Sequence, residues 1–163
     1  NRSRYGGYIV HLGILFIFVG FTGKAFDREI EFSIKAGDKL NFSSYNFMLN
    51  SLKQKERSNH LAWVADIDVY DDNSLFITKL SPEKRVYFHN HPNPDKRQPH
   101  SELSIYSTFQ RDIYSIFSGL DPGDQTAYFK IMINPLVRWV WMGGFILVFG
   151  TMISLWPRKN ILS

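Results

Sequence analysis

The sequence contains no cysteine, and this absence excludes three kinds of chemistry at once. Disulfide bonds, thiol nucleophiles and thiolate metal sites all need a cysteine sulfur. The sequence also lacks a phosphate-binding loop, a Gly-x-Ser-x-Gly elbow, a His-Glu-x-x-His helix and a dinucleotide-binding fingerprint. We therefore expect no self-sufficient soluble active site in this chain.

Charged residues are nearly missing from two stretches at opposite ends of the 163-residue chain. Residues 5–23 carry no charge, and residues 136–156 carry only Arg138. A helix needs about 20 apolar residues to cross about 30 Å of hydrocarbon. The pattern predicts two transmembrane helices. A cleaved signal peptide explains the first stretch less well, because its apolar core is usually shorter and a small-residue cleavage site follows it.

Basic residues flank the outer ends of both stretches. Arg2 and Arg4 precede the first stretch, Arg158 and Lys159 follow the second, and no acidic residue lies in either flank. The positive-inside rule then predicts that both ends face the cytoplasm and that the segment between them is exported. Residues 24–135 hold 14 basic and 15 acidic residues, which argues against a nucleic-acid-binding surface.

The segment between the two stretches has the pattern of β-strands. Residues 62–80 and 111–133 alternate apolar and polar residues on either side of a turn-forming cluster, and each predicts a hairpin. Residues 31–42 predict a third hairpin with Gly37 and Asp38 at its tip. Too little helical periodicity is present for crossover helices. We predict an α+β membrane protein in which two transmembrane helices flank an exported, mainly antiparallel β-domain, either a small barrel or a sandwich.

The predicted domain boundaries follow from these stretches. They are a transmembrane helix with a cytoplasmic flank over 1–26, a periplasmic β-rich domain over 27–134, a second transmembrane helix over 135–157 and a cytoplasmic tail over 158–163. Asn134 and Pro135 suit the start of the second helix, as a capping residue and a proline in the first turn. The first residue is not methionine, and we expect the chain to be a piece of a larger protein.

Three glycines of the first predicted helix recur every seven residues: Gly6, Gly13 and Gly20. Residues at this spacing lie on one face of a helix. Small side chains let another membrane helix approach closely. The stripe therefore predicts a helix-packing face.

His11 lies on a different face of the same helix, about 200° around from Gly13. It shares that face with Gly7, Leu15 and Phe18. An imidazole is costly in hydrocarbon and is seldom kept there without a partner. One interpretation is a histidine that is hydrogen-bonded in a helix bundle or faces a water-filled cleft. The other is an axial ligand to haem iron, because neutral imidazole is a common haem ligand.

Two further groups of residues have alternative interpretations. Arg138 either extends to the outer membrane interface or pairs with an anionic headgroup or a haem propionate. His89, His91 and His100 lie in or beside residues 90–100, which are rich in proline and charge. That segment predicts a solvated surface loop, and a surface metal site is the alternative.

Four separated blocks of sequence resemble the C-terminal part of the CcmF/NrfE haem lyases, in order and in approximate spacing. The blocks are RYGGYIVHLG at 4–13, SPEKRVYF at 81–88, QRDIYSIFSG at 110–119 and INPLVRWVWMGG at 133–144. The resemblance implies a multi-pass protein of the bacterial inner membrane with its central domain in the periplasm. Members of the family act with CcmH, take haem from the haem chaperone CcmE and attach it to apocytochrome c by thioether bonds. Further implied partners are membrane lipid and the remainder of the haem lyase, on the same chain or a companion subunit.

The resemblance also implies a role for His11. Members of the family hold a structural b-type haem between two transmembrane histidines, and His11 matches the second of them. The chain would then supply one axial ligand to haem b, with Arg138 as a second cofactor-binding residue. The family's other haem-handling residues lie upstream of the matched part, so we expect no catalytic residue here. Two alternatives stay open: a membrane-anchored β-domain that only scaffolds a cytochrome maturation complex, and a periplasmic metal-binding module that uses the three loop histidines.

Overall fold

The computed structural model of the chain describes residues 2–93 and 96–156. These residues form two units. The helical unit comprises the chain up to residue 27, residues 108–112 and the chain from residue 134 onward, and the β-unit comprises residues 28–107 and 113–133. The predicted cytoplasmic tail, with Arg158 and Lys159, lies outside the described residues.

The helical unit contains two long helices, α1 over Arg2–Thr22 and α2 over Val137–Leu155. A short 3₁₀ turn, Gly23–Phe26, extends α1. Both helices are long and apolar enough to cross a membrane, and only 17% and 11% of their apolar stretches is buried within the structure. A core helix of a soluble protein would bury most of its apolar surface. The pair therefore has the character of membrane helices, as the sequence predicts.

The described residues of the β-unit form ten strands. They are β1 Arg28–Ile34, β2 Lys39–Phe42, β3 Tyr45–Glu56, β4 His60–Asp71, β5 Phe76–Leu80, β6 Glu83–Tyr87, β7 Pro99–Glu102, β8 Ser104–Ser107, β9 Arg111–Leu120 and β10 Ala127–Pro135, the last two entering the helical unit at one end each. One sheet has the order β1-β10-β9-β8. The other has the order β2-β3-β4-β6-β7, with β5 also paired to β4.

Alternate residues of both sheets build one apolar core, which confirms the sandwich. In β10 the inward residues Phe129 and Ile131 are almost fully buried, and their neighbours in sequence are not. Phe117 of β9 stacks on Phe129 with ring centroids 5.1 Å apart, and Phe47 of the other sheet belongs to the same core. Truncating such a buried phenylalanine to alanine typically costs about 3–5 kcal/mol of stability.

Two of the three predicted hairpins are confirmed. Strands β4 and β5 pair antiparallel around a turn in which Asp71 Oδ1 accepts hydrogen bonds from the backbone N–H groups of Asn73 (2.9 Å) and Leu75 (2.8 Å). Strands β9 and β10 are neighbours, and their connection is held by Asp121 Oδ1, which accepts from the N–H of Gly123 at 2.8 Å. Short aspartate side chains thus close both turns.

The third hairpin, over residues 31–42, is wrong in its pairing although the turn is present. Gly37 has a φ of 97° and its N–H donates to the carbonyl of Leu49 at 2.7 Å. The strands on either side belong to different sheets, because β1 pairs with β10 and β2 pairs with β3. Alternation and a glycine turn predict strands but do not choose their partners.

Helix α2 starts later than the sequence predicts. Asn134 and Pro135 are the last residues of β10, and the N-cap position is occupied by Leu136 in the left-handed region with a φ of 62°. The N–H of Leu136 donates to the carbonyl of Gln110 at 3.0 Å, and its carbonyl accepts from the N–H of Trp139 at 3.0 Å. The predicted cap is therefore wrong: the chain turns from strand to helix at one leucine.

Candidate functional site

Helices α1 and α2 pack against each other through glycines. The facing positions are Gly6 with Gly150, Gly13 with Gly143 and Gly20 with Val140. The numbers rise along one helix as they fall along the other, so the helices are antiparallel. A Cβ added to Gly13 would lie 2.8 Å from the carbonyl oxygen of Gly143, and one added to Gly143 would lie 2.6 Å from that of Gly13. Only glycine permits so close an approach.

This glycine seam confirms the packing stripe predicted on α1 and adds a partner stripe on α2. Gly143 and Gly150 are buried and seven residues apart, the same spacing as on α1. That repeat was visible in the sequence and could have identified the facing helix.

His11 lies on the opposite face of α1 from the glycine seam, and its side chain is exposed. The side chains of Leu15 and Phe18 on that face are 60% and 63% exposed. A Cβ added to Gly7 would meet no atom within 4 Å. The imidazole therefore stands beside an open gap in an apolar helix surface, and no described residue fills that gap.

The hydrogen bond of His11 determines which ring nitrogen is free. Its Nδ1 lies 2.8 Å from the carbonyl oxygen of Gly7, one helical turn earlier. A carbonyl oxygen can only accept, so Nδ1 carries the proton and the lone pair is on Nε2. Metal-bound histidines are commonly held in this way, with one ring N–H donated to a carbonyl or carboxylate and the other nitrogen on the metal. His11 can thus coordinate through Nε2 without a change of tautomer.

Arg4 and Tyr8 lie on the same side of α1, nearer its start. The Nε of Arg4 donates to the hydroxyl of Tyr8 at 2.9 Å, and the guanidinium lies 5.9 Å from the centre of the tyrosine ring. Arg4 precedes His11 by seven residues, or about 10 Å along the helix axis. In the sequence Arg4 stands out only as a flanking charge, although the seven-residue spacing from His11 places both on one face of the helix.

Arg138 is the second residue of α2 and is exposed. Within residues 2–93 and 96–156 it forms no ion pair. The antiparallel register places it level with Gly20, nine residues from His11, which is roughly 13 Å along the axis. The structure therefore does not bring the two predicted site residues together.

An aromatic cluster lies next to Arg138 in the helical unit. The ring of Trp139 stacks on Phe16 of α1 at 5.3 Å and packs against Phe109 at 5.5 Å. Trp141, by contrast, is 68% exposed. Trp139 therefore stabilises the helix pair, and Trp141 is the residue free to meet the membrane interface.

Two of the loop histidines, His91 and His100, are engaged in local contacts. The Nδ1 of His91 accepts from the N–H of Asn93 at 3.0 Å, and the Nε2 of His100 lies 3.0 Å from the side-chain nitrogen of Asn90. His100 belongs to strand β7, so the predicted loop ends two residues early. In the described part of the chain no three potential metal ligands of the His, Cys, Asp or Glu type converge. The described residues of this segment therefore offer no metal-binding geometry.

Several charged residues of the β-unit form surface ion pairs. Lys130 lies 3.2 Å from Glu29 and 3.4 Å from Glu31, and hydrogen bonds to these carboxylates raise the pKa of Lys130. The hydrogen bond and charge of Asp66 likewise raise the pKa of Lys79. Such shifts keep the lysines charged and supply no group that could exchange protons near neutral pH.

Comparisons with known proteins extend these observations. The family described as CcmF C-terminal beta-sandwich matches residues 25–135. The cytochrome c-type biogenesis protein ccl1 of Rhodobacter capsulatus is 30% identical over 160 residues, covering 97% of this chain and 23% of that protein. The probable cytochrome c-type biogenesis protein NrfE of Escherichia coli is 26% identical over 161 residues, with coverages of 98% and 28%. The cytochrome c-type biogenesis protein CcmF of Pseudomonas aeruginosa is 26% identical over 161 residues, with coverages of 98% and 23%.

A solved structure of the cytochrome c haem lyase CcmF has the same fold as this chain. The TM-score is 0.73 at 16% sequence identity, and the match covers 96% of this chain and 25% of that one. The chain therefore spans about a quarter of the length of the relatives it matches.

Proposed function

Since this chain belongs to the CcmF family, we propose that it is the C-terminal part of a membrane haem lyase that attaches haem covalently to apocytochrome c. The chain spans about a quarter of its relatives, so the covalent step is a property of the complete assembly. In this proposal the part described here anchors the assembly and supplies one ligand to a b-type haem, and it does not catalyse the attachment alone.

The proposal includes a location and a set of partners. The protein lies in the bacterial inner membrane, with both helices crossing it and the β-domain in the periplasm. CcmE delivers haem, CcmH assists, and apocytochrome c receives the product. The rest of the haem lyase, on the same chain or a companion subunit, supplies the second ligand to the b-type haem. The two membrane-length helices and the family membership support this arrangement.

Within that assembly, Nε2 of His11 is the ligand atom. One observation carries this assignment: the Nδ1–H bond to Gly7 directs the opposite nitrogen out of the exposed face of α1, beside the gap that Gly7 leaves. Leu15 and Phe18 provide an apolar wall suited to a porphyrin edge. A haem bound there would supply one-electron transfer. His11 would hold it in position, and the face lined by Leu15 and Phe18 would exclude water from one side.

The optical spectrum of the purified full assembly tests the ligand assignment. We expect His11→Ala to remove the bands of a six-coordinate b-type haem, and we expect added imidazole to restore part of them by filling the space left by the side chain. His89→Ala is the matched control, because it removes a histidine outside both helices. Unchanged bands in His11→Ala would show that the iron is held elsewhere.

A scaffold without a cofactor is the second candidate function. The closed apolar core of the sandwich and the lack of converging metal-ligating residues among those described favour it for the β-domain. In that case His11→Ala would leave the haem content of the assembly unaltered and would change only the recovery of partner subunits. Arg138 belongs to the first candidate, in which it binds a haem propionate or an anionic headgroup.

A further inference from the structure

The β-domain has a surface cleft that the proposed haem ligand does not use. Its volume is about 550 Å³, and it lies between strands β4, β6 and β9 and the first residue of β7. The walls are largely apolar, with Trp63, Val86, Phe117 and Leu120 contributing. Clefts of roughly 300–1,000 Å³ with apolar walls and a few polar groups are the usual sites for small molecules.

Two cations face this cleft, Lys84 and Arg97, and no aspartate or glutamate is among the described residues that line it. The Lys84 ammonium donates to the carbonyl of Ser118. The Nε of Arg97 donates to the carbonyl of His91 at 3.1 Å. Each cation is thus held in place by a backbone carbonyl. Each also keeps further N–H donors, because an ammonium has three and a guanidinium five.

Arg85, which follows Lys84 in strand β6, is by contrast a cation neutralised by carboxylates. Arg85 lies 2.8 Å from Glu83 and 3.3 Å from Glu102. Successive side chains of a strand point to opposite faces, so Arg85 faces away from the side on which Lys84 lies. Neither Lys84 nor Arg97 forms an ion pair with a carboxylate of the described residues. Among the described residues, Lys84 and Arg97 thus leave positive charge without a carboxylate partner at the cleft.

We propose that this cleft binds a small amphipathic carboxylate, meaning a molecule with an apolar body and at least one carboxylate group. The apolar body packs against Trp63 and Val86, and the carboxylate accepts charge-assisted hydrogen bonds from Lys84 and Arg97. Such bonds are stronger than those between neutral groups, and the guanidinium fork matches the two oxygens of a carboxylate. This inference does not depend on the haem proposal, since none of these residues belongs to the helical unit.

Photolabelling of the full chain in lipid nanodiscs tests this inference. The probe is 4-benzoylbenzoate, an apolar carboxylate, and the neutral control is 4-benzoylbenzamide, which has the same shape without the charge. After irradiation, mass spectrometry locates the adducts. We expect the acid to label residues of β6 and β9 and an excess of 4-phenylbutyrate to suppress this labelling. The amide should label the same residues about tenfold less, since a charge-assisted hydrogen bond is typically worth 1.5–3 kcal/mol.

Substitution of the two cations gives the second arm of the test. We expect the double variant Lys84→Gln, Arg97→Gln to lose about tenfold or more of the acid labelling at low probe concentration. The double variant Lys53→Gln, Lys55→Gln, which removes two exposed cations from β3, should label normally. Thermal unfolding checks that the variants are folded, and the comparison of acid with amide needs no variant.

Three results would overturn the assignment. Equal labelling by the acid and the amide would show an apolar patch without carboxylate recognition. Full labelling of the Lys84→Gln, Arg97→Gln variant would mean that the two cations do not hold the probe. Displacement of the probe by an acidic, aromatic peptide but not by 4-phenylbutyrate would make the cleft a protein-docking surface.

Discussion

Replacing Gly143 of α2 by alanine tests how closely the two helices approach. The new Cβ would lie 2.6 Å from the carbonyl oxygen of Gly13 and 2.7 Å from the backbone nitrogen of Ile17. These are backbone atoms, so no side-chain rotation can relieve the overlap and the helices must separate. Overpacking of this kind typically costs about 1–3 kcal/mol. Alanine returns about 0.5–1 kcal/mol through its better helix propensity, which leaves a net loss of up to about 2.5 kcal/mol.

Gly144 supplies a matched control one residue away. An added Cβ there meets no atom within 4 Å. Gly144→Ala therefore gains the same helix propensity without the overlap, and we expect no change in the free energy of unfolding or a gain of up to about 1 kcal/mol. The two variants have the same composition, and their changes in the free energy of unfolding should differ in sign.

Unfolding of the full chain in mixed detergent micelles measures this difference. The fluorescence of tryptophan follows the reaction, because Trp139 loses its stacking on Phe16 when the helices separate. We expect Gly143→Ala to unfold at a lower midpoint than the unmodified chain. Gly144→Ala should unfold at the same midpoint or a higher one. If both substitutions move the midpoint by the same amount in the same direction, the glycine contact does not exist in the folded protein.

Three other measurements follow from single features. Gly37→Ala should cost about 1–2 kcal/mol because alanine is strained at a φ of 97°, whereas Gly119→Ala, which also meets no atom within 4 Å, should be nearly neutral. Hydrogen bonds from Thr126 lower the pKa of Asp124, so the stability they confer is present above the ordinary value of 3.8 and is lost as the pH falls through the lowered pKa. Thr126→Val should raise that pKa in an NMR titration, and an unmoved titration would contradict the assignment. Arg138→Gln should shift the haem reduction potential or reduce retention of anionic lipid in the full assembly. Arg138→Lys, which keeps the charge, should have a smaller effect. If neither variant changes either measurement, Arg138 has no anionic partner.

Local features of this fold were predictable from the sequence, and non-local pairings were not. The turn at Asp71 and the one at Asp121 depend on side chains that bond to their own backbone, so the signal lies within a few residues. The turn at Gly37 has the same kind of signal, but it connects strands of different sheets. Which strand pairs with which depends on burial of the whole core, and no short stretch of sequence encodes it.

The start of α2 shows how one sequence signal can suit two structures. Asn134 and Pro135 satisfy the rules for a helix start, and they equally suit the end of a strand. In the structure the two residues end strand β10, and the residue with the strained backbone is Leu136. A non-glycine residue in the left-handed region is uncommon, so sequence rules would not select a leucine there.

The candidate site was predictable in part. Helical periodicity separates His11 from the glycine stripe, and the structure shows the same separation. The bond from Nδ1 to Gly7 depends on the side-chain rotamer, which periodicity does not give. The cleft cations Lys84 and Arg97 lie on different segments, so only the folded domain brings them to one surface.

The glycine seam and the imidazole of His11 lie on opposite sides of α1, and this separation affects the order in which the parts can assemble. The glycine contacts between α1 and α2 involve no residue of the His11 face, so under the proposed function the helices can pack before haem binds. Under that proposal, a newly inserted chain would have its helices packed while the His11 face is still uncovered. Haem binding would then join parts that are already folded, and a shortage of haem should leave packed helix pairs that persist until the supply resumes.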